Sequence, residues 1–350
     1  MKDKKYYTLY NQIRNHIIVG KYSAGEKLPS KRTMADLFGC SVITVAAAYE
    51  LLEQEGYISA RQRSGYYVCR IEGAIANEES KPALIRHLPA DAPDSNDGLE
   101  HSLWFKTVRK VMSERGGELF TKSPNKGCAV LRNAISDYLN RYRGMLAQPE
   151  QIIIGSGAEQ LYETVIKILG REKVYAVEDP CYEQIREVYS GLDVKLCPLT
   201  MGPDGILSRE LAQKGFDVLH VTPFNSYPSG ITASISKRWE YLSWAEKSRG
   251  YIVEDDFASE FFLPGHPIQS LYSLDVNNSV IYINTFSKSL SPSMRMGYMI
   301  LPAKLLDAYE RKLGAYSCSV PTFEQYVLAE FISGGHFERH LNRVRRQMKE

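Results

Sequence analysis

The sequence predicts an α/β protein with a small N-terminal winged helix-turn-helix domain, a linker, and a larger body built on a mostly parallel sheet. Two observations predict this fold class. Residues 1–70 contain three amphipathic helical patterns followed by a short hairpin pattern, and beyond residue 98 short apolar strands alternate with helical patterns. Such alternation is typical of parallel sheets covered by helices, which bind their ligands at the carboxyl ends of the strands.

The composition is that of an ordinary globular protein. The 350 residues are enough for two or three domains, and 44% of them are hydrophobic and 24% charged. No apolar run has the length of a membrane span, and no apolar segment follows the charged start as in a signal peptide. The six cysteines lack C-x-x-C spacing, which favours reduced thiols in the cytoplasm and argues against a zinc site.

The first 70 residues have the pattern of a DNA-binding winged helix-turn-helix. Apolar residues at four-residue spacing over 9–17 predict the first helix, and Ser30 and Ser41 are predicted to cap the second and third. Residues 57–68 alternate as two strands around a basic turn. This segment has eleven Lys or Arg and six Asp or Glu, a net charge of +5, against −3 for the remainder and +2 overall. A basic domain on a slightly acidic body favours a polyanionic partner.

Residues 9–68 resemble the GntR family of bacterial regulators. The matching residues are Gly25-Glu26-Lys27-Leu28-Pro29-Ser30, Arg32, Thr44-Val45, Ala48-Tyr49, Leu52, Glu55-Gly56-Tyr57 and Ser64-Gly65. The resemblance implies that double-stranded operator DNA is contacted by Ser30, Arg32, Ser41, Thr44, Arg61 and Arg63, with the arginines mainly at phosphates. The alternative is a small helical domain that docks another protein.

The predicted reading helix departs from the family pattern. Val42 and Ala46 occupy positions where the family usually has arginines, so we expect lower affinity and a weaker dependence on salt. With Val42, Ile43 and Ala47, this helix is expected to contact thymine methyl groups instead.

A linker is predicted over residues 71–97, where periodicity fades and Pro82, Pro89 and Pro93 occur, so that the body comprises residues 98–350. Its predicted strands are Ile152-Ile154, Val174-Val177, Val194-Cys197, Val218-Val221, Tyr251-Asp255, Val280-Asn284 and Tyr298-Leu301. Several candidate site residues follow these strands. Gly157 and Ala158 form a strand-to-helix turn that could bind phosphate through backbone amides, Tyr182 could stack on an aromatic ring, and Asn225 could donate to a phenolic oxygen.

Lys288 carries the most specific signal in the body. It lies between Ser287 and Ser289, Arg295 follows seven residues later, and Asp255 and Asp256 precede it in the chain. A pyridoxal phosphate site requires these groups, because an amine forms a Schiff base with the aldehyde, hydroxyls and an arginine hold the phosphate, and a carboxylate keeps the pyridine nitrogen protonated. Taken singly, each residue has an ordinary structural explanation.

The body resembles fold type I, aminotransferase-like proteins, and the whole chain resembles the MocR subgroup of GntR regulators. The matching residues are Leu131-Arg132, Asp179-Pro180, Tyr182, Thr222-Pro223, Pro228-Ser229-Gly230, Glu254-Asp255-Asp256, Ser259-Glu260-Phe261, Thr285-Phe286-Ser287-Lys288 and Arg295-Met296-Gly297-Tyr298. The resemblance implies that Lys288 forms the internal aldimine, that Asp255 (or Asp256, if the match slips by one residue) pairs with the ring nitrogen, and that Tyr182 stacks on the pyridine ring. It assigns the phosphate to Gly157, Ala158, Ser287 and Arg295, with Thr285 as a lesser candidate.

Two departures from that family are visible. Phe257 stands where a tyrosine usually donates to the phenolic oxygen, so we expect a raised aldimine pKa. Fold type I proteins also have a C-terminal small domain, whereas this sequence ends at Glu350 within a helical pattern without a stop signal, so we expect that domain to be absent or truncated.

His336 and His340 share a helix face but lack further ligands, and we expect no metal there.

Two functions are compatible with these features. The preferred one is a pyridoxal phosphate-dependent transcriptional regulator, expected to be a homodimer, that senses an amino compound or pyridoxal phosphate through Lys288. The alternative is an active aminotransferase in which Lys288 also transfers a proton. A third is a body that binds no cofactor and serves only for dimerisation. The basic N-terminal module favours the regulator.

Overall fold

The computed structural model describes residues 5–18, 21–23, 25–54, 57–61, 64–69, 100–212, 215–261 and 269–347. These residues fall into two compact units. One comprises residues 1–86 with 232–243, and the other comprises residues 87–231 with 244–350. The linker predicted over 71–97 lies outside the described residues.

The N-terminal module has three helices and a two-stranded hairpin. Its elements are α1 (Lys5–Ile18), α2 (Lys31–Phe38), α3 (Val42–Gln54), β1 (Ile58–Arg61) and the antiparallel β2 (Gly65–Val68). The Ser30 hydroxyl accepts a hydrogen bond from the Thr33 amide at 3.1 Å, and the Ser41 hydroxyl accepts one from the Thr44 amide at 3.1 Å. Both predicted N-caps are therefore formed, and each satisfies an amide that the first helical turn leaves without a partner.

The core of this module fixes the orientation of α3. Val45, Tyr49 and Leu52 on that helix are fully buried, and Ile13 on α1 is buried with them. The Tyr49 hydroxyl donates to the Pro29 carbonyl oxygen at 2.7 Å, which ties α3 to the residues that precede α2. Because one face of α3 is buried, the opposite face is presented outward.

The body contains an eight-stranded sheet. Its strands are β3 (Ile152–Gly155), β4 (Val174–Asp179), β5 (Lys195–Gly202), β6 (Gly205–Ile206), β7 (Val218–Val221), β8 (Tyr251–Asp255), β9 (Val280–Thr285) and β10 (Gly297–Ile300). In space the order is β3-β10-β9-β8-β7-β4-β5-β6. The strands from β9 to β5 in this order are parallel, whereas β10 is antiparallel to both of its neighbours and β6 is antiparallel to β5. The prediction of a mostly parallel sheet is confirmed.

Helices cover both faces of this sheet. The helices that follow β2 along the chain are α4 (His101–Arg115), α5 (Ala129–Tyr138), α6 (Ala158–Leu169), α7 (Glu183–Gly191), α8 (Ser208–Leu211), α9 (Ile235–Ser248), α10 (Leu271–Leu274), α11 (Phe286–Ser289), α12 (Leu306–Leu313), α13 (Thr322–Ser333) and α14 (His336–Gln347). Ile152 and Ile154 pack with residues of α5, α13 and α14, whereas Ile153 packs with α6, α7 and α12. Successive β3 side chains therefore enter opposite cores, as strand geometry requires.

This topology brings several chain segments to one edge of the sheet. The parallel strands β4, β7, β8 and β9 end at their common carboxyl edge. Since β10 is antiparallel to both β3 and β9, β3 also ends at this edge and β10 begins there. The segments that follow the ends of the strands are where open α/β sheets bind ligands.

Among the described residues, no single helix is long and apolar enough to cross a membrane, although the bent pair α2 and α3 passes that test jointly.

Gly127 provides a test of the packing beside β3. Its φ is +89°, and a Cβ added there would lie 2.4 Å from Cγ1 of Ile154 and 2.9 Å from Oε1 of Gln325. We expect Gly127→Ala to lower the free energy of unfolding by roughly 1–3 kcal/mol, because the added carbon overpacks a rigid core in a backbone conformation that alanine disfavours. Urea denaturation measures this change. Gly117→Ala is the control, since nothing lies within 4 Å of its added Cβ, and equal stability of the two variants would contradict the prediction.

Candidate functional site

Asp255 ends β8 and is a buried carboxyl group to which the described residues offer no cationic partner. The Tyr162 hydroxyl donates a hydrogen bond to its Oδ2. His220 Nε2 lies 3.9 Å from the same oxygen. Burial raises the pKa of Asp255 to about 7; the bond from Tyr162 lowers it, and the charges of Asp256 and Glu159 raise it further. Within the described part of the chain, no Lys or Arg forms an ion pair with Asp255. A positively charged ligand group could therefore pair with Asp255 and stabilise its ionised form.

Tyr162 and His220 are site residues that the sequence analysis missed. His220 is buried in β7, its Nδ1 lies 2.7 Å from the Tyr189 hydroxyl, and its Nε2 has no hydrogen-bond partner among the described residues. Burial lowers the pKa of His220 to about 3, so this imidazole is neutral and adds no positive charge beside Asp255. The available signal was a histidine within the otherwise apolar strand Val218–Val221.

Asp256, the other carboxylate considered for the same role, already has a cation. Arg143 contacts its Oδ2 at 2.7 Å, and both side chains are almost fully buried. The hydroxyls of Tyr282 and Ser259 each donate to Asp256 at 2.7 Å. Burial alone would raise the pKa of Asp256, but Arg143 and the two hydroxyl donors outweigh burial and lower it. Asp255 is therefore the carboxylate that remains for a ligand.

The turn after β3 and Arg295 lie close together. Gly157 has a φ of +92° and precedes α6, whose first residue is Ala158. A Cβ added to Gly157 would lie 3.2 Å from Nη2 of Arg295, so glycine permits the guanidinium group to approach the start of the helix. Arg295 also contacts Glu159 at 2.9 Å. Helix amides, the positive end of the helix dipole and an arginine together suit a phosphate group.

The remaining predicted residues lie at the same edge of the sheet. Lys288 is in α11, directly after β9, and its Nζ lies 4.8 Å from the centre of the Phe257 ring. Ser287 precedes it and donates to the Met294 carbonyl oxygen at 3.2 Å. Asn225 follows β7, is buried, and has a φ of +51°.

Tyr182, the aromatic residue predicted to stack on the ligand, follows β4. Its side chain is 42% exposed, and its ring meets that of Tyr227 edge-on at 5.9 Å. Nearby, Glu178 is buried and accepts a hydrogen bond from the Ser226 hydroxyl at 2.5 Å, and burial raises its pKa to about 8. Glu178 is a second titratable group at this edge that the sequence analysis did not select.

The predicted DNA contacts lie on the outer parts of the N-terminal module. Arg32 on α2 is exposed, and Arg61 on β1 is exposed with its guanidinium group 4.3 Å from the centre of the Tyr67 ring. Ser30 and Ser41 cap their helices, and the Thr44 hydroxyl lies 2.9 Å from that of Ser41. Arg63 lies outside the described residues.

The two histidines of α14 have separate partners. His336 Nδ1 lies 2.6 Å from Arg339, and His340 Nε2 lies 2.8 Å from the Ser289 carbonyl oxygen. No group of three or more possible metal ligands occurs in the ranges that the structure describes.

Comparison with known proteins gives two matches that together span most of the chain. Residues 5–68 match the model of bacterial regulatory proteins, gntR family, and residues 94–350 match that of aminotransferase class I and II. The uncharacterized HTH-type transcriptional regulator YdeL of Bacillus subtilis is 32% identical over 97% of this chain and 76% of its own length. The probable rhizopine catabolism regulatory protein MocR of Rhizobium meliloti is 29% identical over 98% of this chain and 74% of its own.

A solved structure shows the same body fold. The kynurenine aminotransferase of Pyrococcus horikoshii superposes with a TM-score of 0.64 at 23% identity. The match covers 74% of this chain and 65% of that one. This likeness defines the fold of the body as fold type I.

Fold and comparisons define the class of protein: a DNA-binding regulator with a helix-turn-helix module and an aminotransferase-like body. The chain belongs to the GntR-type regulators with an aminotransferase class I and II domain, the group that includes MocR. This membership indicates pyridoxal phosphate as the cofactor of the body. The residues present fit it, since Asp255 is a buried carboxyl group with no Lys or Arg partner among the described residues and the Gly157 turn at the start of α6 lies beside the Arg295 guanidinium group.

The two adjacent aspartates should have opposite effects on stability as pH changes. In the cofactor-free protein, Asp255 stays protonated in the fold while the unfolded chain ionises, so the stability linked to it is present below about pH 4 and is lost as pH rises to about 7, with a slope of up to about 1.4 kcal/mol per pH unit. Asp255→Asn should therefore gain stability relative to wild type across this window. Denaturation at a series of pH values measures the difference.

Asp256→Asn is the matched control. Since the pKa of Asp256 is lowered, its stabilising contribution is present above about pH 4 and is lost as pH falls through the folded-state pKa. This variant should lose stability near neutral pH and approach wild type in acid. Parallel pH profiles for the two variants would contradict the assigned charge states.

Proposed function

We propose that this protein is a transcriptional regulator whose body binds pyridoxal phosphate through Lys288 and senses an amino compound or pyridoxal phosphate itself. The observation that carries the proposal is the buried carboxyl group of Asp255. It has no Lys or Arg partner among the described residues, and it lies at the sheet edge that also carries Lys288 and the Gly157 turn. A pyridinium nitrogen would give Asp255 its missing charge partner.

Each predicted residue has a role in holding this ligand. Asp255, oriented by the bond from Tyr162, would pair with the ring nitrogen, and the half-exposed Tyr182 would cover the ring face. The phosphate would bind at Gly157 and Ala158, with Ser287 and Arg295 as side-chain donors, and Asn225 would donate to the phenolic oxygen. When bound, pyridoxal phosphate supplies an aldehyde that reacts reversibly with primary amines, including that of Lys288.

The N-terminal module favours a regulator over an enzyme. A metabolic enzyme has no use for a basic helix-turn-helix, whereas a regulator needs both a sensor and a DNA-binding domain. An amino compound would change DNA binding only by the difference between its affinities for the two states of the protein. We propose a cytoplasmic homodimer, in which two modules would contact two half-sites. Turnover of an amino acid and a keto acid at ordinary enzymatic rates would favour an aminotransferase instead.

Lys288→Ala tests the cofactor site. Wild type should be yellow, and borohydride reduction should leave a phosphopyridoxyl group on the chain, whose mass is that of the cofactor less the water lost on Schiff-base formation plus the two hydrogens added by reduction. Lys288→Ala should lose both signals because the amine that holds the aldehyde is removed. Visible absorbance and mass spectrometry measure the two properties.

Lys304→Ala is the control for this experiment, because its Nζ contacts the Tyr251 ring, away from the glycine turn and Asp255. It should retain both the colour and the added mass. Wild-type protein that stays colourless after incubation with pyridoxal phosphate would overturn the cofactor proposal.

Arg32→Ala tests the DNA-binding surface. Loss of one phosphate contact should weaken binding to duplexes of unrelated sequence and reduce the slope of log K against log salt concentration by about one unit. Fluorescence anisotropy over a range of salt concentrations measures both. Lys195→Ala, which removes an exposed cation from β5 of the body, should leave the slope unchanged. An unchanged slope for Arg32→Ala would remove this residue from the interface.

A further inference from the structure

The outward face of α3 is aliphatic along its first two turns. Val42 is 44% exposed and Ile43 is 82% exposed, while Ala46 and Ala47 are partly exposed behind them. The sequence of α3, residues 42–54, contains no Lys or Arg. Large aliphatic side chains on a helix usually pack into the protein's own core. In α3 the core contacts are made by Val45 and Tyr49 on the opposite face, whereas Val42 and Ile43 are left exposed.

The position of this surface in the module points to duplex DNA. In a helix-turn-helix, the N-terminal residues of the second helix reach the base edges in the major groove. The same module carries cations on α2 and β1 that could contact phosphates. Lys31 Nζ lies 5.0 Å from the centre of the Tyr66 ring, Arg61 lies against Tyr67, and Arg32 is exposed on α2. An aliphatic helix start in a module that carries cations on its neighbouring elements complements a groove whose rims are anionic.

The chemistry of α3 restricts what this helix can distinguish. Recognition of guanine usually requires Arg or Lys, and recognition of adenine requires Asn or Gln, none of which occurs in the first two turns. The hydroxyl groups of Ser41 and Thr44 already have local partners, because Ser41 accepts a hydrogen bond from the Thr44 amide and the two hydroxyls lie 2.9 Å apart. The C5 methyl group of thymine is the base feature that an aliphatic surface contacts favourably.

We propose that α3 recognises its operator through thymine methyl groups packed against Val42 and Ile43, while the cations outside α3 supply affinity through the phosphates. This inference rests on the proposed DNA-binding function and specifies how that surface distinguishes sequences. Specificity then depends on the positions of methyl groups in the major groove, and affinity depends on salt.

Replacement of thymine by uracil in DNA tests this proposal directly. Duplexes that bind wild type tightly are selected from a random-sequence library and are resynthesised with deoxyuridine at single thymine positions. Deoxyuridine keeps the base pair and its hydrogen-bonding groups and removes only the methyl group. We expect about fourfold weaker binding for each methyl group that the protein buries.

Two variants separate methyl contact from phosphate contact. In Ile43→Ala, the ratio of the affinities for the thymine and uracil duplexes should fall towards one at the position that Ile43 contacts. In Arg32→Ala, both affinities should fall and their ratio should remain as in wild type. Since Ile43 is 82% exposed, its replacement by alanine removes no core contact.

The outcomes distinguish this inference from the function on which it rests. Equal binding of the thymine and uracil duplexes by wild type would overturn recognition through methyl groups and leave DNA binding intact. A ratio that Arg32→Ala abolishes but Ile43→Ala preserves would also overturn it. Failure to bind any duplex at low salt would overturn the DNA-binding function itself, and would favour a protein partner for the aliphatic face.

Discussion

The candidate cofactor site depends on one electrostatic constraint, a buried carboxyl group at the end of β8 that the described residues leave without a cation. Asp255 has a phenol and a neutral imidazole beside it, and neither supplies positive charge. In the absence of a ligand, the least costly solution for such a group is to keep its proton, and burial raises its pKa accordingly. A cationic ring nitrogen would reverse that preference, so binding of the ligand and ionisation of Asp255 are linked.

The next residue shows the opposite solution to the same problem. Asp256 is equally buried, but Arg143 and two hydroxyl donors stabilise its ionised form. Removal of Arg143 or Asp256 would leave the other charge buried and uncompensated. This ion pair therefore stabilises the position of Asp256 directly after β8. Of these two adjacent carboxyl groups, Asp256 is therefore held in a structural ion pair, and Asp255 is the one that we propose for the ligand. The two aspartates differ because Asp256 pairs with Arg143, which lies more than one hundred positions upstream in the chain.

The placement of the predicted residues shows what sequence can and cannot predict. Lys288 and Asp255 follow apolar strand patterns, and parallel strands have a common carboxyl edge, so their clustering follows from strand order alone. Tyr162, His220 and Arg143 approach the same edge from a helix face, a strand interior and the segment after α5. Each contact depends on how distant elements pack, which no local pattern encodes. The antiparallel direction of β10 was not predicted for the same reason.

In both halves of the chain, the groups that would provide affinity differ from the groups that would provide selectivity. In the body, Arg295 and the helix start would suit any phosphate, whereas Asp255 is the group that we propose to select a ring that carries a proton. In the N-terminal module, the cations suit any duplex, whereas the aliphatic face of α3 distinguishes bases. Phosphate contacts provide affinity that is common to many ligands, and in both halves of this chain the groups that we propose for discrimination carry no positive charge. Selectivity at both surfaces therefore rests on buried or apolar side chains, whose contribution changes little with ionic strength.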